Sequence, residues 1–125
     1  DCAVGTTEAA DGKAVEMRLD AVPFEQIKSG KKTVELRLYD EKRRALGTGD
    51  TVIFRRTDGD GELRAQVVSL DVRKSFADLF ALPDMLVASG FDECAPAQAV
   101  SCMRAYYSAD DENKYGVVAI GLRLL

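Results

Sequence analysis

The sequence predicts an α+β fold in which a small, curved, mostly antiparallel sheet or barrel carries short helices. The chain has 125 residues, 46% of them hydrophobic, which is enough for one domain with a core. Several segments alternate apolar and polar residues as strands do, but they do not alternate regularly with helices as in a doubly wound parallel sheet. No apolar run approaches the roughly 20 residues needed to span a bilayer, so we expect a soluble protein.

The first half of the chain is predicted to form a strand, a helix, a strand, a helical turn and a strand. The segment "AVEMRLD" alternates, with Val15, Met17 and Leu19 on one side. In "DAVPFEQIKSG", Asp20 is a suitable N-cap and Gly30 suits the C′ position of a short helix. The second strand is "KTVELRLY". A helical turn and a tight loop in "DEKRRALGTGD" lead to the third strand, "TVIFRR".

A hairpin and a long, bent strand are predicted next. The segment "TDGDGE" is a hairpin signal, and "ELRAQVVSLDVR" returns as a strand. Near Val67 and Val68 the apolar residues change from one face of the strand to the other, which indicates a bulge or a strong bend. The segment "SFADLF" has the Ser-x-x-Asp spacing of a capping box and therefore begins a short helix.

Two further helices and a last strand complete the predicted order. The helices lie in "PDMLVASG" and "PAQAVSCMRAYY". Four side chains of the second helix have core-facing spacing: Ala99, Val100, Met103 and Tyr107. We interpret the acidic segment "SADDENK" as a loop. The final strand, "YGVVAIGLRLL", has four apolar residues on one face: Val118, Ile120, Leu122 and Leu124.

The composition excludes several kinds of chemistry. The chain has no histidine, which removes Ser-His-Asp and Cys-His nucleophiles, His-based zinc sites and imidazole acid-base catalysis. We predict no metal site and no cofactor. The chain has three cysteines, Cys2, Cys94 and Cys102, and their spacing is not that of a disulfide pair or a metal site. Because the cysteines are few and odd in number, we expect a reducing compartment, the cytoplasm. Residues 1–13 are expected to be a flexible extension, and residues 14–125 the domain.

Charge is unevenly distributed along the chain. The net charge is −4, but the segment from Lys28 to Arg56 contains nine Lys/Arg and four Asp/Glu, a local balance of +5. The remaining residues contain eight Lys/Arg and seventeen Asp/Glu, a balance of −9. This asymmetry indicates one positive region on an acidic body.

The positive segment contains a strand with charged residues on its polar face. Strand periodicity places Glu35 and Arg37 on one face, about 7 Å apart, and Lys32 at the strand entrance. One interpretation is a solvated face with an ion pair. The other is a site where Lys32 and Arg37 hold a phosphate while Glu35 orients the arginine, which would lower the pKa of Glu35. Likewise Lys42 and Arg43 form either a solvated helix face or an extension of the positive patch.

The pattern Gly30-x-Lys32-x-x-Glu35-x-Arg37 resembles the GxKxxExR signature of the ASCH domain family, whose members are related to the PUA-like RNA-binding folds. The segments "LGTGDTVIF", "SFADLF" and "MRAYYSADDENKYGVVAIGL" resemble the family as well. The resemblance implies a PUA-like small β-barrel of mostly antiparallel strands surrounded by short helices. It also implies a cleft at Lys32, Glu35 and Arg37 that binds RNA or a nucleotide.

The same resemblance leaves a hydrolytic enzyme as an alternative. Some small ASCH-like proteins are amidohydrolases that act on N4-acetylcytidine with a lysine base and a threonine nucleophile; Glu35 occupies the threonine position here. Others resemble ribonucleases, in which a lysine and hydroxyl side chains assist cleavage; Lys32 with Ser108 or Tyr115 could supply such groups here. If the protein is an enzyme, the candidate catalytic residues are Lys32, Glu35 and Ser108. For binding, Tyr106 and Tyr115 are candidates for stacking on bases.

Overall fold

The computed structural model describes residues 12–59 and 61–125. Most of the predicted extension, residues 1–11 with Cys2, lies outside the described residues. The described part of the chain forms strands and short helices in the following order: β1 (Ala14–Leu19), α1 (Ala21–Lys28), β2 (Val34–Leu38), α2 (Glu41–Arg44), β3 (Thr51–Arg56), β4 (Glu62–Arg73), α3 (Phe76–Phe80), α4 (Met85–Ala88), α5 (Pro96–Met103), α6 (Ala109–Tyr115) and β5 (Val117–Leu124).

The five strands form one curled sheet with the order β1-β3-β4-β5-β2. β1 is parallel to β3, and the other neighbouring pairs are antiparallel. The curl brings the two edge strands together, since Arg37 Nη2 on β2 donates to the carbonyl oxygen of Arg18 on β1 at 2.9 Å. The prediction of an α+β fold with a curved, mostly antiparallel sheet and attached short helices is confirmed.

Hydrophobic side chains pack on both sides of the sheet. One cluster combines strand residues with Phe24 and Ile27 of α1, and a second cluster lies between β2, β5 and the helices α3 and α5. β5 serves both clusters, which is why nearly all of it is buried. Val118, Ile120 and Leu122 of β5 are buried in the first cluster, whereas Leu124, at the strand end, is 45% exposed.

Local signals in the sequence correspond to the observed breaks and caps. The β4–β5 register shifts between Val67 and Ser69, which confirms the predicted bulge. Gly30 has φ +85° after α1, a left-handed conformation that suits the predicted C′ position. Ser75 Oγ accepts from Asp78 N and caps α3. Asp20 precedes α1 as predicted, but its side chain accepts from Thr57 Oγ1 at 2.8 Å instead of capping the helix.

The acidic segment predicted as a loop is the helix α6, so that prediction was wrong. Ser108 caps this helix, because its Oγ accepts from Asp111 N at 3.1 Å. Acidic residues fill the first turn, where the helix dipole favours negative charge. One of them, Glu112, is buried and accepts from Phe76 N at 2.6 Å and from Arg104 Nη2 at 2.6 Å. These contacts fix α6 against α3 and α5.

Candidate nucleotide-binding cleft

A cleft of about 640 Å³ opens between the two edge strands, beside α1 and the end of α5. Its walls come from distant parts of the chain, which the curl of the sheet brings together. The lining residues are Arg18, Leu19, Asp20, Val22, Pro23, Gln26, Lys32, Glu35, Leu36, Arg37, Thr57, Ser89, Gly90, Phe91, Cys102, Met103, Ala105, Tyr106 and Tyr107.

Lys32, Glu35 and Arg37 form a charged triad in the cleft. Lys32 is 8% exposed and Glu35 is 5% exposed. The Lys32 ammonium lies 2.9 Å from Glu35 Oε1, and Arg37 Nε donates to Glu35 Oε2 at 2.7 Å. The predicted pairing of Glu35 with Arg37 is therefore present, but it is buried and not on a solvated face.

The backbone around Lys32 explains why this side chain enters the cleft. After the turn at Gly30, Lys32 N donates to the carbonyl oxygen of Gln26 at 2.9 Å, and Thr33 N donates to that of Ala88 at 2.8 Å. These bonds hold the segment between α1 and α4 before β2 begins. Glu35 then follows on the strand face that points into the cleft.

The electrostatic balance keeps Glu35 ionised. Its burial raises the pKa, but the charges of Lys32 and Arg37 and their hydrogen bonds outweigh burial, so the pKa of Glu35 is lowered. Two cations and one carboxylate leave the triad with one positive charge. Arg37 Nη1 and the remaining N–H groups of the Lys32 ammonium have no partner among the described residues. They can donate to an anionic or carbonyl oxygen in the cleft.

Two tyrosines, together with Phe91, provide the aromatic surface of the cleft. Tyr106 is 64% exposed, and its hydroxyl donates to Asp20 Oδ2 at 3.4 Å. Tyr107 is partly buried, with its ring stacked on Phe76 at 5.8 Å between centroids. Burial raises the pKa of both phenols, and Asp20 adds to the rise at Tyr106, so both remain protonated at neutral pH. The predicted core residue Tyr107 thus packs in the core and also lines the cleft.

The other predicted site residues lie elsewhere. Ser108 caps α6 and does not line the cleft. Tyr115 lines a second, shallow groove. Lys42 is exposed on α2, where Arg43 lies 3.7 Å from Asp40, and neither cation lines the cleft.

Sequence reasoning missed several residues of the cleft wall. Arg18, Gln26, Thr57 and Cys102 line the cleft but were not predicted to do so. Only Arg18 had a signal in the sequence, because it is a cation on the polar face of an alternating strand. The others reach the cleft through the tertiary fold.

No three Cys, Asp or Glu side chains of residues 12–59 and 61–125 are grouped closely enough to hold a metal ion. Within the same ranges, every helix is too short or too polar to cross a bilayer.

Comparison with known proteins gives a family and several similar structures. The family model "ASCH domain" matches residues 17–125. The crystal structure of hypothetical protein PH0355 has 35% sequence identity and a TM-score of 0.80, over 90% of this chain and 99% of that chain. The solution NMR structure of protein PF0455 from Pyrococcus furiosus has 32% identity and a TM-score of 0.69, over 90% and 97% of the two chains.

A more distant match shares the fold alone. The crystal structure of a ZmASCH mutant protein from Zymomonas mobilis has 17% identity and a TM-score of 0.62, over 86% of this chain and 66% of that chain. No curated protein matches this sequence.

Proposed function

This chain belongs to the ASCH domain family, and we propose that it binds single-stranded RNA or a nucleotide in the cleft around Lys32, Glu35 and Arg37. The family has a PUA-like fold that is often linked to RNA binding. Its signature residues in this chain are the residues that form the buried triad.

The triad is the observation that carries this proposal. A buried cluster with one excess positive charge is unfavourable unless hydrogen bonds or a counter-ion compensate it. The free donors of Arg37 and Lys32 match the oxygens of a phosphate or a base carbonyl. A phosphate oxygen would supply the missing negative charge, so the cleft favours an anionic ligand over a neutral one.

The walls of the cleft suit the remainder of a nucleotide. Tyr106 has an exposed ring on which a base can stack, since every base has a π-face. Val22 and Pro23 add apolar surface on the α1 side. The volume of about 640 Å³ lies within the range of about 300–1,000 Å³ that is usual for small-ligand sites. One nucleotide, or the end of a strand with one base turned inward, fits these dimensions.

Fluorescence anisotropy with a labelled trinucleotide tests the assignment. We expect Arg37→Lys to lower affinity about tenfold, because lysine keeps the charge but loses the planar fork. Tyr106→Ala should lower affinity by a similar factor through lost stacking. Arg123→Ala is the control, since Arg123 contacts Gln66 and does not line the cleft. Binding that is unchanged in both cleft variants, with melting temperatures near wild type, would refute the cleft assignment.

Hydrolysis of RNA or of a modified nucleoside is the second candidate. Lys32 lies in the cleft as that activity requires, but its ammonium is paired with Glu35. The Ser108 hydroxyl is engaged in capping α6. Binding is therefore better supported. We expect no release of acetate from N4-acetylcytidine, because Glu35 stands where those amidohydrolases have a nucleophilic threonine. Turnover of this nucleoside or of RNA that is lost in Lys32→Met would support the enzyme instead.

A further inference from the structure

We propose that a second groove beside α2 binds the backbone phosphates of an RNA strand that extends out of the cleft. This inference rests on the proposed function. The groove is shallow, and the residues that matter to the argument are Tyr39, Arg44, Arg73, Lys74, Lys114 and Tyr115. We call it the basic groove.

The basic groove concentrates unpaired positive charge. Four cations line it, against one carboxylate, that of Asp78. Neither Lys74 nor Lys114 forms an ion pair with any described residue, whereas Arg73 is paired with Asp71. In a chain of net charge −4, a local excess of cations that lack partners is a feature of a surface that meets a polyanion.

Aromatic rings are interleaved with these cations. The Arg44 guanidinium lies 4.5 Å from the centroid of the Tyr39 ring, and the Lys114 ammonium lies 5.1 Å from that of Tyr115. Grooves that combine cations with aromatic side chains are typical of single-strand binding, where the cations follow the backbone and the rings accept bases. This chemistry favours an RNA strand over a free phosphate ion.

The basic groove lies next to the cleft along β2. Arg37 of the cleft lies on β2, and Tyr39 of the basic groove follows the end of this strand at Leu38, so their Cα atoms are at most about 7.6 Å apart. α2 follows directly after Tyr39, and its last residue, Arg44, lines the basic groove. A strand that leaves the cleft past Arg37 therefore meets the basic groove next.

The double variant Lys74→Gln/Lys114→Gln separates the two sites. We expect its affinity for a mononucleotide to equal that of wild type. Affinity for a nonamer of single-stranded RNA should fall about five- to tenfold, the effect of losing two exposed charge contacts. The slope of log affinity against log salt should become less negative by about 1.4, the contribution of two single-strand phosphates. The control is Arg64→Gln/Arg123→Gln, which removes the same charge outside both sites.

Asp78→Asn provides a test that loss of folding cannot mimic. Removing the one carboxylate of the basic groove should raise nonamer affinity and leave mononucleotide affinity unchanged. The inference is overturned if wild type binds the nonamer no more tightly than the mononucleotide, or if the groove variant matches its control. Failure of every nucleotide and RNA to bind at low salt overturns the proposed function as well.

Discussion

Glu35 determines the arrangement of the charged cleft. A buried carboxylate loses several kcal/mol of hydration, which only close pairing can offset. Lys32 and Arg37 provide this pairing from opposite sides, each binding a different carboxylate oxygen. The arginine also joins the two edge strands through the carbonyl oxygen of Arg18. Glu35 thereby links the two cations to each other and, through Arg37, to the other edge strand.

Glu35→Gln should lower the free energy of unfolding by about 3–5 kcal/mol at neutral pH, because it leaves the buried Lys32 and the partly buried Arg37 without their carboxylate. The folded-state pKa of Glu35 is below its unfolded value, so its contribution is complete above the unfolded pKa and disappears as pH falls through the folded pKa. The difference between wild type and variant should therefore shrink in acid. Urea denaturation across pH measures it, with the exposed Glu93→Gln as control. A difference that is constant with pH would contradict this account.

α6 both stabilises the fold and lines part of the basic groove. Its N-terminus is capped by Ser108, and Glu112 fixes it to α3 and α5. Its C-terminal turn places Lys114 and Tyr115 in the basic groove. The helix thus positions part of that groove while its cap makes no contact with the cleft.

Ser108→Ala should lower the free energy of unfolding by about 1 kcal/mol, the usual effect of losing a serine N-cap. Trinucleotide affinity should not change, since Ser108 does not line the cleft. Thermal or urea unfolding combined with anisotropy checks both expectations. Ser75→Ala is the matched control, because it removes the equivalent cap of α3. Loss of binding or of RNA cleavage without loss of stability would restore Ser108 as a functional residue.

Prediction from sequence succeeded where the signal was local. Alternation identified β1 and β2, and the change in which positions are apolar near Val67 and Val68 located the bulge. α6 was missed although Ser108 and Asp111 have the same spacing as Ser75 and Asp78, because an acidic segment poor in apolar residues lacks helical periodicity.

The candidate site could be predicted from the sequence only between Gly30 and Arg37. Lys32, Glu35 and Arg37 follow a short pattern, and the turn at Gly30 together with strand alternation brings them into one cleft. Arg18 and Cys102 join them through strand order and helix packing, which no local pattern encodes. Burial of the triad was unpredictable for the same reason.

If the ligand is RNA, as proposed, the uneven distribution of charge along the chain would act on it before contact. The segment from Lys28 to Arg56 carries a balance of +5, and the rest of the chain carries −9. Lys74 and Lys114, both outside that segment, extend the positive surface in the basic groove. An acidic body repels parts of a long polyanion that lie away from these sites, so the field favours short or flexible strands.

Single-stranded RNA should bind more tightly than duplex RNA of the same length, and with a moderate dependence on salt. In a duplex the bases are stacked and paired, so none can reach the Tyr106 ring without opening the helix.

A 5′-phosphorylated trinucleotide presents about three phosphates, and each single-strand contact contributes about 0.7 to the salt slope, which gives a slope near −2. Anisotropy titrations from low salt to about 0.3 M, where the Debye length falls below about 8 Å, measure it. Arg37→Lys should weaken binding with little change in slope, because the charge is retained, whereas Lys32→Met should weaken binding and also reduce the slope. A slope near zero, or duplex affinity equal to that of the single strand, would show that neither phosphate contacts nor an unstacked base contributes to recognition.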